Sequence, residues 1–312
     1  MGRRNKGRKV DGILLLNKPG GVTSNGILQR IKRLYGAAKA GHTGALDPLA
    51  TGLLPLTFGE ATKFSQHLLD SDKRYQTTAK LGIRTDSSDA DGEVVETKAV
   101  PDFTEADIQL LLDEHFTGEI EQVPSMYSAL KFNGQPLYKL ARKGIQVEVK
   151  PRRVTIFDIQ ILAIREDEID LEVHCSKGTY IRSIVEDLGL LLGCGAHVSM
   201  LHRLDAGPYK ASMMIDVEKL EAIAELNEPP EMIQHKLDAL LLPAWTALGD
   251  TPAVNLSAKE AALIGNGQKI VWTGSEMPAP IVRLFNGETE QFLGIAELTD
   301  EKRLIPKRLI AN

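Results

Sequence analysis

One segment of the chain, GHTGALDPLATGLLPL from Gly41 to Leu56, holds a single carboxylate and a single imidazole among glycine, small and apolar residues. A sheltered carboxylate can act as a nucleophile or as a general acid or base. An aspartate before a proline is also a common turn residue, so Asp47 taken alone favours a structural interpretation, with His42 packed nearby. The rest of the chain has to decide between the two.

Two other segments place polar side chains where secondary-structure elements begin. The first, SDKRY, leads into a strand that starts near Tyr75, and the second, HCSKGTYIR, joins a strand to a helix that opens with Arg182. Taken singly, a tyrosine at a strand start usually belongs to the core and an arginine at a helix start usually lies on the surface. Neither segment is specific by itself.

Length and composition bound the class of protein. With 312 residues, 43% of them hydrophobic, the chain can bury one large core or a large and a small one. It has no apolar run of about 18 residues and no secretory signal at its start, which predicts a soluble cytoplasmic protein without membrane contact. Cys175 and Cys194 form no metal-ligand or disulfide pattern, so no metal site is expected.

The charge distribution points to an anionic partner. The first 40 residues carry a net charge of +9, whereas the whole chain carries −5. A basic arm of this kind is as often a solvated tail as a contact for a polyanion. A second basic cluster tips the choice toward nucleic acid, and it comprises Lys139, Arg142, Lys143, Lys150, Arg152 and Arg153.

Hydrophobic periodicity predicts helices and strands in an irregular alternation. Helices are expected from a cap at Ser24 to Gly36 and over 104–116, 181–192 and 217–226, and strands over 12–16, 73–81, 93–96, 154–164, 169–175 and 196–204. Since no β-α-β repeat emerges, the predicted fold class is α+β, with a mixed, mainly antiparallel sheet flanked by helices.

The sequence texture changes after about residue 230. The region from Glu228 to Pro243 is predicted as a connection, and beyond it short apolar segments alternate with turn signals such as Asn286-Gly287. This pattern predicts a small C-terminal β-rich barrel. The expected division is a basic arm at 1–10, a main domain at 11–245 and the small domain at 246–312.

Familiar cofactor motifs are absent from the sequence. There is no G-x-S-x-G, no H-E-x-x-H and no G-x-G-x-x-G after a strand, and the Gly41 segment lacks the Gly-Lys-Ser/Thr ending of a phosphate loop. The loop from Asp86 to Gly92 puts Ser87 and Lys98 at the positions of the first and last calcium ligands, which excludes an EF-hand. Any chemistry is expected to run without a cofactor.

Six segments together resemble, in order, the motifs of the bacterial TruB tRNA pseudouridine synthases. They are KPGGVTS from Lys18, GHTGALDPLATGLLP from Gly41, SDKRYQ from Ser71, RTDSSDADG from Arg84, VPSMYSALK from Val123 and CSKGTYIRS from Cys175. The resemblance covers about residues 10 to 210 and implies a pseudouridine synthase catalytic domain, followed by a PUA-like RNA-binding domain. The function it implies is isomerisation of uridine 55 in the T loop of tRNA.

The resemblance also implies roles for the catalytic side chains. Asp47 corresponds to the family's nucleophile, and attack on C1′ of the ribose and on C6 of the base both remain open. Burial would favour the protonated acid, so a cation has to compensate, and Arg182 is the candidate. Tyr75 corresponds to the tyrosine that stacks on the flipped base and assists proton removal.

Further positions are implied to bind the substrate. Tyr180 and Leu201 correspond to lining residues of the pocket, and His42 to the residue that fills the space vacated by the flipped base. Lys18, Lys177 and a loop near 124–153, which carries the second basic cluster, would contact phosphates.

A rival hypothesis is a non-catalytic RNA-binding or tRNA-folding protein that uses the same surface. Such a module needs basic and aromatic residues but has no use for a sheltered Asp47 beside Arg182, so the enzyme is the favoured prediction. No obligate protein partner is implied, and a monomer that binds the T stem-loop of tRNA is expected.

Overall fold

The computed structural model describes residues 7–128, 130–141, 143–274 and 279–311. Its strands are β1 Gly12–Lys18, β2 Ala40–His42, β3 Thr51–Phe58, β4 Lys73–Leu81, β5 Ile83–Thr85, β6 Val94–Thr97, β7 Gly118–Gln122, β8 Lys131–Phe132, β9 Gln135–Pro136, β10 Arg152–Arg165, β11 Glu168–Cys175, β12 Ala196–Ala206, β13 Tyr209–Lys210, β14 Ile215–Asp216, β15 Ala253–Leu256, β16 Ile270–Val271, β17 Ile281–Asn286, β18 Phe292–Leu298 and β19 Arg303–Leu309.

The α-helices are α1 Ser24–Leu34, α2 Ser65–Leu69, α3 Glu105–His115, α4 Leu137–Ala141, α5 Ile181–Leu191, α6 Val217–Ala224, α7 Pro230–Asp238 and α8 Ala258–Gly265. Short 3-10 helices cover Gly59–Phe64, Ala211–Met213 and Ala244–Leu248. No helix among the described residues is long and apolar enough to cross a membrane.

A large mixed sheet forms the centre of the main domain, in the order β14-β1-β3-β12-β4-β11-β10-β7. Its pairings are antiparallel except for β1 with β14 and β3 with β12. Helices α1, α3 and α5 contribute apolar faces to the core under this sheet. The predicted fold class, a mixed and mainly antiparallel sheet flanked by helices, is confirmed.

The C-terminal part forms a second, five-stranded sheet in the order β15-β17-β18-β19-β16. It has its own core and also packs on the main domain, because Phe292 and Ile295 share an apolar cluster with Phe64 and Leu68. The Lys63 ammonium donates to the Leu309 carbonyl at 2.8 Å across the same contact. The predicted β-rich C-terminal part is confirmed, while the boundary near 245 stays a prediction.

Several local predictions require correction. The cap of α1 is Thr23, whose hydroxyl accepts from the Gly26 N–H, whereas Ser24 is buried and bonds elsewhere. The connection expected between Glu228 and Pro243 contains α7, which begins with Pro230 at a position where its missing N–H is no loss. No element is predicted over 51–69, yet β3, a 3-10 helix and α2 lie there.

Strand β3 was missed because it is buried on both faces. Seven of its eight residues are buried, so its side chains show no alternation of apolar and polar types. It lies between β1 and β12 and follows directly after the Asp47 loop, residues 43–50. The core strand therefore fixes one end of the loop that carries the candidate nucleophile.

Candidate active site

A cavity of about 280 Å³ opens where the Asp47 loop, the start of β4 and the turn before α5 meet. Its lining residues are Gly44, Ala45, Leu46, Asp47, Leu69, Lys73, Tyr75, Ser128, Ser176, Gly178, Thr179, Tyr180, Ile181, Arg182, Leu201 and Arg203. Five residues predicted from the sequence, Asp47, Tyr75, Tyr180, Arg182 and Leu201, are thus brought together. They come from segments more than 150 positions apart in the chain.

Backbone and side-chain hydrogen bonds fix the Asp47 loop. The Leu46 N–H donates to the Ser24 hydroxyl oxygen at 2.7 Å, and that hydroxyl donates to the Leu46 carbonyl at 2.9 Å. On the other side of Asp47, the buried Lys18 ammonium donates to the carbonyls of Pro48 and Ala50 at 3.3 and 2.6 Å. Both flanks of Asp47 are therefore held, which limits the directions its carboxylate can take.

Arg182 is the cation that faces Asp47. Its Nη2 lies 3.1 Å from the Asp47 carboxylate, and its Nη1 lies 3.2 Å from the carboxylate of Asp89. The guanidinium also donates to the carbonyls of Ser87 at 2.9 Å and Tyr127 at 3.2 Å. With four partners and a side chain only 5% exposed, Arg182 is held rigidly between the two carboxylates.

Opposing effects set the ionisation of Asp47. Burial in the pocket raises the pKa of the Asp47 carboxyl, the Arg182 guanidinium lowers it, and the negative charge of Asp89 raises it again. Burial outweighs the ion pair, so the pKa lies above the ordinary value. The Asp47 side chain is 40% exposed, so the carboxylate is sheltered by the pocket yet open to a group that enters it.

The aromatic wall of the pocket consists of Tyr75 and Tyr180. Tyr75 lies on β4 between β11 and β12, opposite Val173 and Arg203. The backbone of Tyr180 is fixed by Gln122, which accepts from the Tyr180 N–H at 3.0 Å and donates to its carbonyl at 3.2 Å. Burial raises the pKa of both tyrosines, so their hydroxyls favour the protonated form.

Three residues predicted to bind the substrate lie outside the lining of the cavity. Lys18 is fully buried and its ammonium is directed at loop carbonyls, so in this structure it positions the Asp47 loop and offers no surface to a phosphate. His42 lies on β2, and its Nδ1 is buried without a partner among the described residues. Lys177 is exposed beside the mouth of the cavity, 2.8 Å from the Asp70 carboxylate.

Three residues of the site were not assigned a role from the sequence. Asp89 lies in the quoted segment RTDSSDADG, and the buried partner it provides to Arg182 could have been inferred from that motif. Lys73 precedes Tyr75 in SDKRY and donates to the carbonyls of Leu68 and Leu69. Arg203 has no signal in the sequence, because only the pairing of β12 with β3 and β4 brings it to the pocket.

The second basic cluster falls in the segment between β7 and β10. Lys139 lies in α4, and Arg152 and Arg153 begin β10. Arg142 lies outside the described residues. Within the described ranges no group of histidine, cysteine and carboxylate side chains has the geometry to hold a metal ion.

Comparison with known families decides the class of this site. Residues 32–181 match the N-terminal domain of the TruB family pseudouridylate synthases, residues 182–249 match the C-terminal domain of tRNA pseudouridylate synthase B, and residues 252–310 match the C-terminal model of pseudouridine synthase II TruB. The chain belongs to the TruB family. The predicted enzyme, an isomerase that makes pseudouridine, is confirmed, and the non-catalytic alternative is not favoured.

Curated relatives resemble the chain along its whole length. The tRNA pseudouridine synthase B of Shewanella sp. (strain W3-18-1) is 54% identical, with 99% of this chain and 97% of the relative covered. The protein of the same name from Aeromonas salmonicida (strain A449) is 53% identical, with 99% of this chain and 96% of the relative covered. The match therefore extends over nearly the full length of this TruB family member and of both relatives.

Solved structures support the fold at lower identity. A Cbf5-Nop10-Gar1 complex matches with a TM-score of 0.72 and 24% identity, covering 96% of this chain and 84% of that one. The archaeal box H/ACA sRNP Nop10-Cbf5 complex matches with a TM-score of 0.69 and 21% identity, covering 99% and 90%. At these identities the likeness concerns the arrangement of the sheet, the helices and the C-terminal part.

Proposed function

We propose that this TruB family member isomerises the uridine at position 55 in the T loop of tRNA, with Asp47 as the nucleophile. The observation that carries the proposal is the Asp47–Arg182 pair, 3.1 Å apart, inside a cavity walled by two tyrosines. A volume of about 280 Å³ suits one nucleoside turned out of its stack rather than a stacked pair of bases.

The chemistry suits the residues present. The N1–C1′ bond of uridine breaks, the base turns within the pocket, and C5 joins C1′, so no atoms are gained or lost and no cofactor is consumed. Asp47 holds one fragment covalently while the base turns. Arg182 keeps the carboxylate ionised, and Tyr75 stacks on the base and removes the proton that C5 must lose.

The remaining surfaces bind the RNA. Tyr180 and Leu201 enclose the base, and His42, next to the Asp47 loop, fills the space that the base leaves in the T loop. Lys177, the basic residues of 124–153 and the C-terminal domain contact phosphates, which set the position of the RNA without reading its sequence. The protein acts as a monomer in the cytoplasm and needs no protein partner.

Mapping pseudouridine in an unmodified tRNA transcript tests the proposal. Incubation with the purified protein should place pseudouridine at position 55 and nowhere else in the transcript. A transcript with cytidine at that position is the matched control and should remain unmodified. Modification at a different uridine would refute the T-loop assignment, and an unmodified transcript under single-turnover conditions would refute the reaction itself.

A further inference from the structure

Arg203 lies on β12 between the two segments that carry Asp47 and Tyr75. It pairs with Gly52 of β3 on one side and with Tyr75 of β4 on the other. Residues directly opposite each other on neighbouring strands project from the same face of a sheet, so the Arg203 and Tyr75 side chains share the pocket face. Both line the cavity.

The contacts of Arg203 hold its guanidinium against the aromatic wall. Its Nε donates to the Leu53 carbonyl at 2.6 Å, and its positive charge acts on the Tyr75 hydroxyl, whose pKa it lowers. Its Nη1 lies beneath the Asp47 loop, where a Cβ on Gly44 would come to 3.6 Å from it. The guanidinium is thus bound to β3 and lies on the same pocket face as Tyr75.

The charge of Arg203 has no carboxylate partner in the described part of the chain. The side chain is only 1% exposed, and its Nη2 has no hydrogen-bond partner there. Arg182, by contrast, lies within 3.2 Å of two carboxylates. An arginine stays charged, and a buried charge without a counter-ion is strongly destabilising, so Arg203 is suited to a neighbour that becomes negative during the reaction.

The other titratable neighbours of this guanidinium are bases. Burial lowers the pKa of Lys18, Lys73 and His42, and the charge of Arg203 lowers each of them further. Among these neighbours and Tyr75, the tyrosine is the group that can acquire a negative charge. The surroundings of Arg203 therefore single out the Tyr75 oxygen.

We propose that Arg203 is a positioning residue for Tyr75: it holds the hydroxyl in place and stabilises the phenolate that removes a proton during the isomerisation. This inference rests on the proposed function and names the group that stabilises the phenolate form of Tyr75 for that function. Arg203 is paired with Tyr75 of β4 and bound to β3 through the Leu53 carbonyl, and its proposed effect on the reaction is the stabilisation of Tyr75.

The proton transfer balances without any further reactant. When C5 has joined C1′, it still carries its original hydrogen. The Tyr75 phenolate takes that proton, the C5–H electron pair forms the C5–C6 double bond, and the electron pair released to N1 takes up a proton. The Tyr75 hydroxyl gives its own proton to water before this transfer, and N1 takes up a proton from water after it. One proton is lost at C5 and one is gained at N1, so the tyrosine ends as the neutral hydroxyl it was at the start.

The groups that face Tyr75 set the direction of its titration. Burial raises the pKa of the hydroxyl, Arg203 on β12 lowers it, and Cys175 on β11 and Asp47 in its loop raise it. Arg203 is the strongest favourable influence on the phenolate. Loss of its charge should raise the pKa of Tyr75 further and reduce the phenolate fraction about tenfold for each unit of the shift.

The test is the pH dependence of single-turnover pseudouridine formation, measured at saturating enzyme from about pH 6 to about pH 9. Arg203→Gln should lose at least about tenfold in rate at neutral pH. Because the pKa of Tyr75 lies above this pH range in both proteins, both rates should rise with pH while the loss stays about constant. Arg203→Lys, which keeps a charge, should recover part of the rate. The affinity for tRNA should stay within about threefold for both variants, since affinity comes from phosphate and stacking contacts spread over many residues.

Two further measurements separate tuning of Tyr75 from a structural role. In a Tyr75→Phe background, Arg203→Gln should cause no additional loss of rate. Incorporation of 3-fluorotyrosine at position 75, which has a more acidic hydroxyl, should restore part of the activity of Arg203→Gln and shift the wild-type rise in rate to lower pH. If Arg203→Gln does not fold, Arg203→Lys with and without 3-fluorotyrosine provides the same comparison.

A loss of rate that persists undiminished in the Tyr75→Phe background, or no effect of 3-fluorotyrosine, would overturn the inference and leave Arg203 as a structural residue. The proposed function fails in a different way, since a wild-type chain that forms no pseudouridine would refute it before any variant is compared. The two failures are therefore distinguishable within one set of assays.

Discussion

Two parts of the pocket are each held by a buried lysine. They are the Asp47 wall, residues 43–50, and the Tyr75 wall, the start of β4. The Asp47 wall is pinned by Lys18 and the Tyr75 wall by Lys73, and each lysine is buried with its ammonium donating to three backbone carbonyls. Burial lowers the pKa of both lysines to about 8. In each wall a buried cation fixes the backbone next to a reactive side chain.

The arginines of the two walls differ in what neutralises them. Arg182 is paired with Asp47 and Asp89, so its charge is compensated before any substrate arrives. Arg203 faces the neutral hydroxyl of Tyr75. In the proposed mechanism, the first arrangement favours an ionised nucleophile in the resting enzyme, and the second favours a base that becomes negative only during the reaction. The two arginines would thus serve different stages of that mechanism.

The largest effect expected from the Asp47 wall is that of Asp47→Asn. The amide keeps nearly the same shape but is a far weaker nucleophile, so single-turnover rate should fall by at least about four orders of magnitude, or more than roughly 5 kcal/mol of barrier. Binding of tRNA should change by less than about tenfold, because affinity comes from many phosphate and stacking contacts. Rate and filter-binding measurements on the same preparation check both.

A matched control is Asp113→Asn, which neutralises an exposed carboxylate on α3 away from the pocket. It should leave rate and affinity unchanged. An Asp47→Asn protein that keeps more than a few per cent of the wild-type rate would remove Asp47 from the chemistry. Equal losses of rate and binding would instead favour a structural role for Asp47.

The second prediction removes the charge of Arg182, the arginine that is paired with Asp47 and Asp89. Arg182→Gln should lower the rate by about 100- to 1000-fold, the usual effect of removing one preorganised charged donor. Because Arg182 lowers the pKa of Asp47, its loss should raise that pKa and move the acidic limb of the rate profile to higher pH. A pH–rate profile of the variant, compared with wild type, measures the shift.

Arg182→Gln should also destabilise the fold, by about 3 to 5 kcal/mol, since it leaves the buried carboxylate of Asp89 without its cation. The double variant with Asp89→Asn should regain part of this stability in a urea titration. An acidic limb that stays in place in Arg182→Gln would show that Arg182 does not control the ionisation of Asp47.

The side chains of the pocket were more predictable from the sequence than the strand that supports Asp47. The segments that carry Asp47, Tyr75 and Arg182 are specific enough to be matched to a family, and amphipathic elements such as α1 and β4 show clear periodicity. Strand β3 was not predicted because it is buried on both faces and shows no alternation of apolar and polar residues. The reactive side chains of the pocket are therefore easier to predict from the sequence than β3, the buried strand that supports the Asp47 loop.

Long-range pairing accounts for what could not be predicted. Arg203 reaches the pocket through the register of β12 against β3 and β4, which local patterns do not specify. Lys18 looks like a phosphate ligand in the sequence, yet the path of the chain from Pro48 to Ala50 surrounds its ammonium with carbonyls. In both cases a charged residue gains its role from backbone that is distant in sequence.

The third prediction compares the two buried lysines. Lys18→Met and Lys73→Met each leave three carbonyls without their donor, so each should lower the free energy of unfolding by about 1 to 3 kcal/mol. Lys18→Met should also slow the isomerisation, since it frees the loop that holds Asp47. Chemical denaturation and single-turnover rates measure the two effects. Unchanged stability in both variants would show that these lysines do not stabilise the backbone around the pocket.

The sign of the pH dependence sharpens this comparison. The pKa of each lysine is about 8 in the folded chain and 10.5 in the unfolded chain, so between these values the unfolded chain binds more protons. The advantage of wild type over either methionine variant should therefore grow as the pH rises through this window and be smaller below pH 8. A constant difference in denaturation midpoints across the window would contradict the pKa shifts.

The smallest effect concerns Lys177, which lies beside the mouth of the pocket in an exposed pair with Asp70. Since exposed ion pairs contribute little, Lys177→Gln should change the free energy of unfolding by less than about 1 kcal/mol. If Lys177 exchanges Asp70 for a phosphate when tRNA binds, the slope of log affinity against log salt should become shallower in Lys177→Gln by about 0.7 to 0.9, the value of one contact.

The matched control is Lys98→Gln, which removes a lysine paired with Glu96 on β6 and should leave the slope unchanged. Asp70→Asn should tighten binding slightly at low salt, because it removes the carboxylate that competes with the phosphate. An unchanged salt slope in Lys177→Gln would place the RNA elsewhere on this rim.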